Sequence, residues 1–215
     1  MNNKTQVAVV VENHPYDVIS FQKMLDSFTD CDCYVQPFDL LVQDEDNKDK
    51  YDTILFYNMN WDCPPSESHI YKYMENETGN GQGVILLHHA LLSFQKWDVF
   101  TDISGVRLRG ADGLFKYTQN QTVKSHIVKT GHYITAGVSD FTVIDETYTM
   151  GEPEEPGNTI LITTDNATSI KNIAWVRQYK NSRVFSYASG HDKHSYNEEN
   201  FRRILHNAII WTASK

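Results

Sequence analysis

Four of the nine histidines in this 215-residue chain stand just past apolar, strand-like runs. His14 follows Val7–Val11, His88 and His89 follow Gly83–Leu87, and His191 follows Val184–Ala188 by way of Gly190. Imidazole titrates near neutrality and serves as general acid, general base or metal ligand. In open parallel sheets, ligands bind beyond the carboxyl ends of the strands. The spacing therefore predicts one crevice holding His14, His88 or His89, and His191, with the imidazoles within about 10 Å of one another, a loose bound for groups sharing a ligand pocket. His191, between Gly190 and Asp192, is the first candidate for general acid/base, with His88 or His89 as the second polar group. Asp192 is a candidate for the substrate site, although sequence neighbours often point apart. In Asp145-Glu146, Glu146 is the candidate carboxylate. Trp175 and Tyr179, four apart on a strand, share a face and would line an apolar or sugar-stacking wall.

The turn Leu87-His88-His89-Ala90 has the form of a nucleophile elbow, a sharp strand-to-helix turn that exposes one side chain. Its apex carries neither Ser nor Cys; Ser93 lies about a turn further on and Cys63 is distant in sequence. Covalent acyl chemistry from this elbow is therefore disfavoured. Acid/base chemistry, metal-assisted chemistry and plain ligand binding remain. Imidazoles suit zinc, but the chain has no helical HxxxH or HExxH pair. Acid/base chemistry without a cofactor is the preferred reading, and zinc held between the histidines is the alternative.

Those candidates need strands and helices to hold them. Val7–Val11, Thr53–Tyr57 and Val84–Leu87 are continuous apolar runs, as strands buried on both faces would be. Cys33–Phe38 reads as a further strand, Thr159–Thr163, Ile173–Tyr179 and Arg183–Ala188 as late strands. Val18, Phe21, Leu25 and Phe28 repeat at helical spacing, as do Ile70, Tyr73 and Met74 within Ser66–Glu77. A helix is expected from His89 through Leu91, Leu92, Phe94, Trp97 and Phe100, and another over Asn197–Trp211. This alternation predicts an α/β fold with a mostly parallel sheet, its first three apolar strands adjacent, in one domain over residues 1–215. Between 104 and 149 the texture shifts to short alternating segments, read as an added β-rich insertion. Gln43–Lys50 reads as a solvated charged loop, and Gly79–Gly83 as a helix-to-strand turn.

Nineteen Lys+Arg against 28 Asp+Glu give −9, which argues against binding nucleic acid through phosphate neutralisation. No apolar run approaches the ~20 residues of a membrane helix, and the first residues lack a signal-peptide pattern. Cys31, Cys33 and Cys63 are odd in number with no CxxC. A cytoplasmic protein without membrane or nucleic-acid partners is expected.

Several segments together resemble the ThuA-like (trehalose-utilisation) family of the class I glutamine amidotransferase-like superfamily. They are Val9–Val11 with His14-Pro15; Gly83–Leu87 running into His88-His89-Ala90 and then Trp97; and Phe141 followed by Asp145-Glu146 and Tyr148. Ala174-Trp175, Tyr179, Arg183-Val184-Phe185, Tyr187 and Gly190-His191 follow, then Asn200-Phe201 and Asn207–Trp211. Ser182 stands where the pattern has Gly before the Arg. The resemblance implies a flavodoxin-like three-layer α/β/α sandwich. It also implies that His88 replaces the superfamily's cysteine, so that glutamine hydrolysis is absent. His191 falls where amidotransferase relatives keep a catalytic histidine. The family is linked with catabolism of disaccharides and their oxidised derivatives. The expected function is hydrolysis or isomerisation of a small sugar or oxidised sugar derivative by His191 with His88 or His89. His14, Glu146, Trp175, Tyr179 and Asp192 would shape the substrate site. A zinc hydrolase and a non-catalytic sugar-binding module are the alternatives, and a homo-oligomer is left open.

Overall fold

Val7 to Val10 are fully buried, and so is every residue of Thr53–Asn58 and Gly83–Leu87. Such strands must be covered on both faces. In the computed structural model, which describes residues 4–43, 48–94, 96–107 and 115–214, they form the middle of one nine-stranded sheet. The strands are β1 (Thr5–Glu12), β2 (Cys31–Gln36), β3 (Thr53–Asn58), β4 (Gly83–Leu87), β5 (Lys116–Ile127), β6 (Phe141–Thr149), β7 (Thr159–Thr163), β8 (Asn172–Tyr179) and β9 (Ser182–Tyr187). Their order across the sheet is β2-β1-β3-β4-β9-β8-β7-β5-β6. As the apolar runs predict, β1, β3 and β4 are adjacent and parallel, with Val9 beside Leu55 and Leu55 beside Ile85.

The sheet as a whole is mixed, not mostly parallel. From β2 to β9 the pairings are parallel, and from β9 to β6 they are antiparallel. Chain economy explains the change. Parallel neighbours require a long crossover. β8 and β9 are instead joined by a tight turn with Lys180 at φ 50°, which pairs Tyr179 with Ser182 and allows only the antiparallel direction.

The helices are α1 (Val18–Asp26), α2 (Phe38–Gln43), α3 (His69–Lys72, continued as a π-turn over Tyr73–Glu77), α4 (Asp98–Ser104), α5 (Lys193–Tyr196) and α6 (Glu199–Ala213). Asp17 caps α1 by accepting from the Ser20 amide at 3.0 Å, and Glu198 caps α6 by accepting from Phe201 N at 2.6 Å. α6 lays Phe201, Ile204, Leu205, Ala208 and Ile209 against β1, β3, β4 and β9.

Three local expectations change. The strand expected to reach Phe38 stops at Gln36, because Phe38 opens α2 with its amide on the Glu12 carboxylate at 3.1 Å. The helix expected from His89 through Phe100 is a 3-10 turn, His88–Leu92, separated from α4 by Phe94 and Lys96, both at positive φ. The described strands of the insertion, β5 and β6, pair as a long hairpin on the far edge of the same sheet. Of the expected charged loop, residues 44–47 lie outside the described residues, while Lys48 is buried and pairs with Glu77 at 3.0 Å. Leu108 and Leu114, within the insertion's short segments, also lie outside them.

Candidate active site at the carboxyl edge of the sheet

β1, β3, β4 and β9 are neighbours, so the loops after them meet at one edge. Four imidazoles gather there. His14 stacks on His89 at 4.1 Å between ring centroids, His88 lies 5.3 Å from His191, and His14 lies 6.2 Å from His191.

His88 sits at the elbow with φ 54°, a left-handed conformation rare for a non-glycine residue and costing about 1–3 kcal/mol. Such strain persists only where the surroundings enforce it. Here Nδ1 donates to the Ala188 carbonyl at 2.8 Å. That bond assigns the proton to Nδ1, so in the neutral ring Nε2 carries the lone pair. Nε2 accepts from the Tyr148 hydroxyl at 2.7 Å and faces His191 Nδ1 at 3.3 Å.

Glu146 completes the group. Its Oε1 is 3.7 Å from both His88 Nε2 and His191 Nδ1. Burial pushes its carboxyl up, but the neighbouring His88 imidazole, the Tyr148 hydroxyl and the His191 imidazole outweigh this and hold it at about 2. Glu146 and Tyr148 are two apart on β6 and so face the same side of the strand. His88, Glu146 and His191 bring one ligand atom each within 4.8 Å of one another. Two imidazoles and a carboxylate fit a divalent cation as donors; the same three fit a charge-paired acid/base group.

The Glu146 shift has a testable consequence. A carboxylate held below its ordinary value stabilises the folded state above about pH 4.5 and loses that contribution as the pH falls toward 2. Urea midpoints measured from pH 7 into this range should fall more steeply for the wild type than for Glu146→Gln. Parallel curves would show that the Glu146 charge is not held by its neighbours.

His191 is fixed through its backbone. Asp145 accepts from Gly190 N at 2.8 Å, His191 N at 2.9 Å and Glu146 N at 2.9 Å. From the other side the Tyr57 hydroxyl donates to the Gly190 carbonyl at 2.7 Å, and Tyr196 donates to the His191 carbonyl at 2.9 Å. Gly190, at φ 123°, is required: a Cβ there would meet Phe201 at 3.0 Å and Leu87 at 3.3 Å. The His191 side chain is 24 % exposed, and its Nδ1 faces inward to His88 and Glu146.

The other candidates take different places. His89 joins the cluster as a buried support: Nε2 donates to the Tyr57 carbonyl at 3.1 Å, and burial with the adjacent imidazoles pushes its pKa down to about 2. That keeps the ring neutral, so His89 does not supply a proton near pH 7. His14 is half-buried beside it, its pKa lowered by burial and by His88. Trp175 does not line the site. It is fully buried, with Nε1 donating to the Ser104 carbonyl at 2.7 Å, and is a core residue of β8. Tyr179 is also removed. It pairs with Ser182 at the start of β9, the opposite edge of the sheet, because β8 runs antiparallel to β9. Asp192 accepts from the amide and ring of His194, at 2.8 and 2.9 Å, as the cap of α5, and does not orient His191.

Asp145, Tyr148 and Tyr57 were missed as site residues. The period of two in Asp145-Glu146-Thr147-Tyr148 was the available signal for Tyr148, but nothing local placed β6 across the end of β4. Tyr57 closes an apolar run and reads as core; a buried tyrosine hydroxyl nevertheless needs a partner. A second group, Asp30, Cys31 and His206, lies at the other end of the sheet. Burial, with the charge of Asp30, pushes the Cys31 thiol up to about 12, and Asp30 is paired with His206 at 2.7 Å. Cys31, Cys33 and Cys63 are all free.

Among the described residues no helix is long and apolar enough to cross a membrane. No curated protein matches the sequence. Among solved structures, a ThuA-like protein from Parabacteroides merdae is similar at 17 % identity and TM-score 0.77, over 98 % of this chain and 90 % of that one. Cytoplasmic protein STM3548 from Salmonella typhimurium is similar at 11 % identity and TM-score 0.69, over 97 % and 99 %. PurLQS from Thermotoga maritima is similar at 10 % identity and TM-score 0.61, also over 97 % and 99 %. These likenesses are of fold. Residues 6–212 match the ThuA family, described as trehalose utilisation. With that match covering nearly the whole chain, the chain belongs to the ThuA family.

Proposed function

We propose that this protein hydrolyses or isomerises a small sugar or oxidised sugar derivative, with His191 as general acid/base and no covalent intermediate. One observation carries this reading: His191 Nδ1 faces an ionised carboxylate and a second imidazole, at 3.7 and 3.3 Å. A carboxylate on Nδ1 orients the ring and stabilises the imidazolium, leaving Nε2 to exchange a proton with substrate. In an isomerisation one such base carries a proton from one carbon to its neighbour. In a hydrolysis it takes a proton from the attacking water. The Tyr148 hydroxyl, donating to His88 Nε2, holds the second imidazole in place beside His191. His14 lies beside His191 as a wall of the site. The sugar class rests on the family's link to trehalose utilisation.

A second reading is favoured by the 4.8 Å grouping of His88, Glu146 and His191, which would hold a zinc ion. One experiment separates them. Protein dialysed against a chelator is assayed on oxidised trehalose, and its zinc is measured on the same sample. Retained turnover, with zinc well below one per chain and an imidazole limb in the pH profile, is expected. Loss of turnover restored by zinc would move the chemistry to the metal. Binding of the sugar without turnover would make the protein a sensing module.

A further inference from the structure

Trp61 was not among the residues that the sequence marked. It stands on the loop after β3, at the same edge as the four histidines, and is 47 % exposed. It stacks on Phe115 with centroids 5.5 Å apart and planes 18° apart. Phe115 meets Tyr148 edge-on at 6.0 Å, and the Tyr148 ring lies 4.7 Å from that of His88. Tyr117, 61 % exposed, sits directly opposite Tyr148 across the β5–β6 hairpin, so both rings project from the same face. A row of aromatics thus runs from solvent down to His88.

An exposed indole at the head of such a row, with a second exposed ring across the hairpin from Tyr148, is informative, since exposed apolar surface marks binding sites. An indole face packs against the C–H face of a pyranose while the sugar hydroxyls stay in water. Phe115 and Tyr148 stand between Trp61 and His88, so a sugar over Trp61 is not the one that exchanges a proton with His191. We infer that Trp61, with Phe115 and Tyr117, is a stacking subsite for the second, non-reacting ring of a disaccharide-sized substrate. This rests on the sugar reading above and adds what sets substrate size. The single ring of a monosaccharide reaches the histidines without touching Trp61, whereas a disaccharide gains affinity from it.

Calorimetric titration with trehalose and with methyl α-glucoside tests this on the wild type, Trp61→Ala and Trp61→Phe. Trp61→Ala should weaken trehalose binding about tenfold, the worth of one stacked ring. Methyl α-glucoside should bind the wild type and Trp61→Ala alike, and Trp61→Phe should recover most of the trehalose affinity. Should Trp61→Ala fail to fold, Tyr117→Ala provides the same comparison from an exposed position. Unchanged trehalose affinity, or equal weakening of both sugars, overturns the subsite and leaves the sugar reading standing. Binding of neither sugar to the wild type overturns the sugar reading itself, and the subsite with it.

Discussion

His191→Ala is expected to lower turnover of the sugar derivative by about 10²–10⁴-fold, with affinity for the sugar within a few-fold of wild type. Proton transfer contributes only in the transition state, so its loss falls on the rate and not on ground-state binding. Three structural facts make the variant informative. The ring is 24 % exposed, its removal opens no deep cavity, and the loop is held by bonds from Asp145, Tyr57 and Tyr196 to backbone atoms that alanine retains. The fold and the positions of His88 and Glu146 should therefore survive. His191→Gln, which keeps a polar group but cannot titrate, should be nearly as slow. Turnover within threefold of wild type would remove His191 from the chemistry. Loss of near-stoichiometric zinc together with activity would show His191 to be a metal ligand.

Asp145→Ala should destabilise the protein by about 3–5 kcal/mol, since it strips the partners from buried amide groups. The carboxylate accepts from the amides of Glu146, Gly190 and His191, and its residue is 3 % exposed. Water cannot readily replace it, so each amide keeps its desolvation cost. The same bonds tie β6 to the end of β9 and so set where the His191 ring stands relative to Glu146. A lower urea midpoint should be accompanied by faster amide exchange at Gly190 and His191 and by slower turnover. Asp145→Asn, retaining one acceptor oxygen, should fall between the two. An unfolding free energy within about 0.5 kcal/mol of wild type, the usual range for a surface substitution, would show that Tyr57 and Tyr196 suffice to hold the loop.

The sequence by itself determined the middle of the sheet and the gathering of the histidines. β1, β3 and β4 were legible because strands buried on both faces leave unbroken apolar runs, a local property of the chain. His14, His88 and His191 were legible because parallel strands end on the same edge, so a residue just past a strand end is placed by topology alone. Only the tertiary structure decided the rest. The direction of β5 to β9 follows from tight turns and long-range pairing, which left Tyr179 at the wrong edge and Trp175 in the core. It also carried Asp145, Glu146 and Tyr148 across the ends of β4 and β9, more than forty residues distant in sequence from His88 and His191. Period-two patterning states which strand residues share a face, but not which face meets which neighbour. The division between Glu146 beside the imidazoles and Asp192 on a helix cap was therefore decided by packing, not by adjacency in the chain.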